Sequence, residues 1–199
     1  AARRTDVQLG DTVAIVGLGF MGLLMLQAIR LKGPAKVIAI DVRKEVLEMA
    51  RTLGADEVLT PKDVPDYLKL TTGENLYKGF GVDVAIEASG TQDALTLAGE
   101  MVREHGVLSI LGYHQGDPRS VDMELWNWKA LRVLNAHERR IDFQMDCMKR
   151  GLKLLETHKI EMKPLITHKY ILDQVDQAFL DLEKKPAGFI KAVIVLDKE

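Results

Sequence analysis

The chain of 199 residues has a single cysteine, Cys147, so neither an internal disulfide framework nor a cysteine-rich zinc site can be built from it alone. It has no excess of either charge. Lys and Arg total 27 against 29 Asp and Glu, a net charge of −2, which argues against nucleic acid or an anionic membrane as the main partner. No apolar run reaches the ~18 residues needed to cross a bilayer, and no apolar signal core follows Arg3-Arg4. A reducing cytoplasm is the expected compartment. With 47% hydrophobic and 28% charged residues, the composition is that of a folded domain and too apolar for disorder.

What is present is an alternation of short apolar runs with helical segments. The runs are Val13–Val16, Val37–Ile40, Glu57–Leu59, Val82–Glu87, Gly106–Leu111 and Leu131–Leu134. Their β-branched, nearly unbroken character predicts strands buried on both faces, as in a parallel sheet covered by helices. Helices are predicted over Met21–Lys32, apolar nearly all round and so deeply buried, and over Lys44–Leu53, Thr91–Val102 and Phe143–His158. In the last of these, Met145, Met148, Leu152 and Leu155 share one face, and Cys147 reads as a buried core thiol. The predicted class is α/β, a Rossmann-type doubly wound parallel sheet of six strands with a small C-terminal α+β extension. That extension comprises a strand over Leu165–Ile171, a helix over Gln174–Glu183 and a strand over Phe189–Leu196. It has too little core to stand alone.

The first strand runs into Gly17-Leu18-Gly19-Phe20-Met21-Gly22, a G-x-G-x-x-G pattern. Gly17 suits a tight turn, Gly19 lets the backbone approach a pyrophosphate, and Gly22 lets the helix pack close on the strand. The free amides at the helix start favour an anion. Asp41 ends the second strand, 19 residues beyond Gly22, near the ~20 expected of the acid that accepts the ribose hydroxyls. A carboxylate there repels a 2′-phosphate, so NAD is favoured over NADP, although Arg43, two residues on, is the residue type that accommodates such a phosphate. The strand exits at Asp41-Val42-Arg43, Ala88-Ser89-Gly90, Leu111-Gly112-Tyr113 and Leu134-Asn135 complete the expected crevice.

The chain resembles the medium-chain, zinc-type alcohol dehydrogenases, especially their polyol and threonine dehydrogenase branch. The resemblance is carried by Gly10–Gly19, Leu53-Gly54-Ala55-Asp56, Val82–Gly90, Pro164-Leu165-Ile166-Thr167-His168 and Ile190–Ile194. It implies that Gly17–Gly22 hold the pyrophosphate, Asp41 the adenosine ribose, and Ala88-Ser89 the ribose side. It also implies that the backbone of Leu111–Tyr113 and Leu134-Asn135 holds the nicotinamide carboxamide, and that Lys191 lies on the pyrophosphate. The family's N-terminal catalytic domain, with its Cys, His and acidic zinc ligands, is missing from the sequence. The chain therefore reads as three parts: the end of a helix leaving that domain (1–8), a dinucleotide-binding domain (9–160), and a segment that returns to the missing domain (161–199). Zinc would come only through the absent part, no catalytic residue is assigned here, and the isolated chain is expected to bind NAD with negligible turnover. The implied partners are a small alcohol or polyol and a second copy of the chain, giving a homodimer or homotetramer through the edge strand near Leu131–Leu134. Two other readings stay open from the residues alone. One is an S-adenosylmethionine-dependent methyltransferase-like domain. The other is a non-catalytic nucleotide-sensing module.

The remaining candidates have plainer readings. His114 could face the nicotinamide but reads as a loop histidine. His105, His137, His158 and His168 show no ligand spacing. Trp126 and Trp128 are expected to pack or to brace a partner surface, and Glu138-Arg139-Arg140 to form a solvated loop.

Overall fold

The apolar runs become six strands in the computed structural model, which describes residues 1–72 and 81–196. They are β1 (Thr12–Val16), β2 (Lys36–Ile40), β3 (Glu57–Leu59), β4 (Val82–Glu87), β5 (Val102–Ile110) and β6 (Arg132–Asn135). The helices between and after them are α1 (Phe20–Arg30), α2 (Lys44–Thr52), α3 (Val64–Thr72), α4 (Gln92–Met101), α5 (Met123–Trp128) and α6 (Ile141–Glu156). The strands lie in the order β3-β2-β1-β4-β5-β6, every neighbouring pair parallel. This is the doubly wound arrangement the strand and helix alternation predicts, and the order reverses between β1 and β4.

Side chains alternate across the sheet and both sets are buried. Val13, Ile15, Val37, Ala39, Val84 and Ile86 share one apolar cluster with Leu23, Leu26 and Ile29 of α1 and Val46 and Ala50 of α2. Ala14, Val16, Ile38, Ile40, Ala85 and Leu108 pack on the other face with Val64 and Leu68 of α3 and Leu95 and Ala98 of α4. A sheet covered on both sides explains why its strands read as continuous apolar runs rather than alternating ones. The short α3 and α5 lack a strong periodic signal and were not foreseen. α1 is less uniformly buried than its composition suggests, since Met21 and Leu31 at its two ends are exposed.

The chain passes from α4 straight into β5, where Lys129 secures the junction. This buried lysine donates from Nζ to the carbonyls of Glu100 (2.8 Å) and Val102 (2.9 Å). It thereby places a cation at the C-terminal end of a helix dipole. Its burial holds the ammonium below the ordinary lysine pKa. Lys129→Met is expected to cost about 2 kcal/mol, because two carbonyls lose a charged donor while remaining shielded from water. Urea unfolding checks this, and an unchanged midpoint would show that the junction holds without it.

After α6 come β7 (Ile166–Ile171), α7 (Val175–Lys184) and β8 (Lys191–Val195), with β7 and β8 forming a separate parallel pair. The strand, helix and strand read from the sequence are all present. Leu165, Ala178 and Phe189 are buried, whereas Phe179, Leu180 and Leu182 on α7 are exposed. α6 corrects the sequence reading more sharply. Its Met145, Met148 and Leu152 do share a face, but that face is open to solvent, and no residue of α6 is fully buried. Cys147 is accordingly half-buried rather than a core thiol. Periodicity identified the apolar stripe but not whether these residues cover it. Trp126 packs against the α4 face of the core and Trp128 is exposed. No helix among the described residues is long and apolar enough to cross a membrane.

Candidate functional site

The three glycines after β1 face three different surroundings. Gly17 has φ +97°, and a Cβ there would lie 2.8 Å from both Cβ and N of Ser89. A Cβ on Gly22 would fall on the Gly17 carbonyl oxygen. At Gly19 a Cβ would meet nothing within 4 Å, so the space in front of this residue is open. Gly19 is also the N-cap of α1. It offers no side-chain cap, and no acid stands in the first turn. The amides that open α1 therefore lack both an intrahelical acceptor and a neutralising carboxylate.

Asp41, at the tip of β2, is almost fully buried. Its Oδ2 accepts from the Leu18 amide at 2.7 Å, which ties the glycine loop to the neighbouring strand. Its Oδ1 accepts from the Arg43 backbone N–H (2.9 Å) and Nε (3.2 Å). The sequence assigned this carboxylate to a ribose, and the structure adds that it first serves to hold the loop. Arg43 also donates from a terminal nitrogen to the Phe189 carbonyl (3.1 Å), linking the C-terminal segment to the mouth of the crevice. Lys191 reaches the same place, its Nζ 5.4 Å from the centre of the Phe20 ring. Beside these groups lies a cavity of about 320 Å³, walled by Gly17, Ile40, Asp41, Val42, Ser89 and Leu97 among others.

The far side of the crevice is organised by a residue the sequence reading did not single out. Glu87, the last residue of β4, is fully buried. Its Oε1 accepts from the amides of Ser89 and Gly90, both at 2.7 Å, and from Ser89 Oγ at 3.0 Å. Its Oε2 faces His114 Nε2 at 2.9 Å, and Arg119 Nε donates to His114 Nδ1 at 3.2 Å. A single acid closing an apolar strand was the available signal, since a buried carboxylate needs donors around it. Arg119 gave none, because its partners lie on a loop whose path the sequence does not fix.

The amides of Leu111 and Gly112 both donate to the Glu87 carbonyl, at 2.8 and 2.9 Å. Tyr113 is exposed and Leu111 almost buried. Leu134 packs partly into the core and Asn135 is exposed at the edge of the sheet. Ala88 lies behind the glycine loop, 3.7 Å from the Cβ that Gly22 lacks. The predicted residues Gly17, Leu18, Gly19, Phe20, Met21, Gly22, Asp41, Val42, Arg43, Ala88, Ser89, Leu111, Gly112, Tyr113, Leu134 and Asn135 thus all stand at strand exits or at the start of α1. Lys191 comes to them from β8.

A family model described as zinc-binding dehydrogenase matches residues 21–153. An alcohol dehydrogenase of Cupriavidus necator (strain H16) is 31% identical over 200 residues, covering 97% of this chain and 51% of the relative. An NADP-dependent isopropanol dehydrogenase of Clostridium beijerinckii is 28% identical over 206 residues, covering 98% of this chain and 55% of the relative. The solved zinc-dependent alcohol dehydrogenase 2 of Streptococcus pneumonia superposes with a TM-score of 0.86 at 28% identity, over 100% of this chain and 55% of that one. The chain spans about half the length of the curated relatives it matches. The family match extends from α1 into α6, over more than half of the chain, so the chain belongs to the zinc-binding dehydrogenase family.

Proposed function

We propose that the chain is the NAD(H)-binding part of a dehydrogenase that moves hydride between a nicotinamide and a secondary alcohol or polyol. The observation that carries this is the open space in front of Gly19, bounded by the uncapped start of α1 and the Asp41 tip of β2. The residues fit a dinucleotide. Backbone amides of the glycine loop would take the pyrophosphate, with the Lys191 cation beside Phe20. Asp41 would take the adenosine ribose in place of its contacts with the Arg43 side chain, and the 320 Å³ cavity would take the base. A bound nicotinamide supplies the hydride acceptor or donor, and this chain holds and orients it. Among the described residues no three His, Cys, Asp or Glu side chains converge as a metal site. The proposal accordingly gives zinc and substrate to the rest of a longer protein, against which the exposed apolar faces of α6 and α7 would pack.

Calorimetric titration of the chain with NADH tests the cofactor reading. Binding is expected, and no heat at millimolar ligand would overturn it. The isolated chain is expected to oxidise no alcohol, and measured turnover would move the catalytic groups onto these residues.

The same reading extends to assembly. β6 is the open edge of the sheet, and three of its four residues, Val133 among them, are exposed. Two copies pairing these edges about a two-fold axis would form one continuous sheet. Sedimentation at twice the 22.2 kDa chain mass is expected. Val133→Lys, which sets like charges against each other across the axis, should shift the protein to the monomer. A wild-type monomer across micromolar concentrations would exclude this contact.

A further inference from the structure

Glu87 is a buried acid that the cofactor assignment does not use. Glu87 is fully buried, with the amides of Ser89 and Gly90 and Ser89 Oγ on its Oε1 and His114 Nε2 on its Oε2. A ligand in the crevice does not reach it, so whatever Glu87 does for binding is done through its neighbours. We infer that Glu87, with His114 and Arg119, is a positioning device for the nicotinamide side of the crevice, holding the Ser89–Gly90 turn against Gly17 and tying it to the Gly112–His114 loop. This inference rests on the cofactor reading above.

The hydrogen-bond directions follow from chemistry. Arg119 Nε can only donate, so His114 Nδ1 accepts from it, and His114 Nε2 therefore carries the proton and donates to Glu87. A terminal nitrogen of Arg119 also donates to the carbonyl of Gly90, at 3.2 Å. Gly90 is thus gripped twice, its amide by the acid and its carbonyl by the arginine. The backbone segments meet where side chains are missing. A Cβ on Gly90, which has φ +80°, would lie 3.2 Å from the Tyr113 carbonyl oxygen. One on Gly112 would collide with Glu87 Oε2, and one on Gly17 with Ser89. A displacement of the turn is therefore passed directly to the glycine loop on one side and to the exit of β5 on the other. Gly17 and Ser89 form one wall of the cavity, but Gly90, Gly112, His114 and Arg119 do not line it, and the Asp41 tip lies outside their contacts.

That geography sets the test. The whole chain is titrated with AMP, which needs only the adenosine side, and with NADH, which spans both sides. The chains compared are wild type, His114→Ala, Arg119→Met and Glu87→Gln. His114 and Arg119 are only partly buried, so their variants should fold even if Glu87→Gln does not. Both are expected to lose about tenfold in NADH affinity while AMP affinity stays within about twofold, the scale of losing one charge-assisted hydrogen bond. Nitrogen-15 NMR should show the wild-type His114 ring protonated on Nε2. In Glu87→Gln, with the side-chain amide turned to His114, both ring nitrogens face donors, so one of the two hydrogen bonds must break and the His114 nitrogen signals should shift. Equal losses of AMP and NADH, unchanged NADH affinity, or a wild-type ring protonated on Nδ1 would each overturn the positioning role and leave the cofactor reading standing. A wild-type chain that binds neither ligand would overturn both.

Discussion

Gly22→Ala is expected to unfold the start of α1 from β1 and lower stability by about 1–3 kcal/mol, the range of overpacking a filled core. Helix propensity alone predicts the opposite, since alanine is favoured over glycine in a helix by about 1 kcal/mol. The sign is decided by the Gly17 carbonyl oxygen, on which the new methyl would fall, with Ala88 Cβ 3.7 Å away behind it. The obstacle is backbone, so α1 itself must move, and Leu23, Leu26 and Ile29 would lose their seats in the core. Gly19→Ala provides the contrast. Its φ of −65° suits any residue, and its methyl would enter open space. Stability should therefore fall by no more than about 1 kcal/mol, the cost of alanine at an N-cap. NADH affinity should nevertheless fall by at least about tenfold, because the methyl occupies the approach of the pyrophosphate. Urea unfolding and NADH titration of the two variants separate packing from ligand contact. A stabilised Gly22→Ala, or a Gly19→Ala chain with wild-type affinity, would remove the assignment.

Asp41→Ser is expected to move the ratio of NAD(H) to NADP(H) affinities toward NADP(H) by about a hundredfold. Two terms add. The carboxylate that would repel a 2′-phosphate is gone, and Arg43, now bonded to it at 3.2 Å, is released to meet that phosphate with a charged hydrogen bond. Each term is of the order of tenfold, about 1.4 kcal/mol. A structural cost accompanies the change. The Leu18 amide loses its acceptor at 2.7 Å, so stability should drop by about 1–2 kcal/mol. Arg43→Gln in the Asp41→Ser background should abolish the gain for NADP(H). An unaltered ratio would mean that Asp41 serves only to anchor the glycine loop.

Much of this site was legible as text. Gly17, Gly19 and Gly22 announce a turn, an open approach and a close packing because each demand is local, and the structure supplies those three surroundings at those three positions. Asp41 was legible because its strand ends where the apolar run ends. Glu87 was visible but unread, since nothing in Val82–Glu87 says which donors will surround the acid. His114 and Arg119 were not readable, because their roles depend on a loop folding back to Gly90 from 29 residues away. Cys147 was misread for a related reason: periodicity reports that a helix has an apolar face and is silent about what covers it.

The sequence by itself determined the six-strand doubly wound sheet, the helix that follows the glycine loop, and the carboxylate one strand over. These depend on residue type at short spacing, where steric and hydrophobic preferences act within a single turn or strand. The tertiary structure alone decided which groups meet across the strand exits: Asp41 on the Leu18 amide, Arg43 on the Phe189 carbonyl, and Glu87 on His114. Such contacts join segments far apart in the chain, and their geometry is fixed only once the parallel sheet has brought the strand ends side by side.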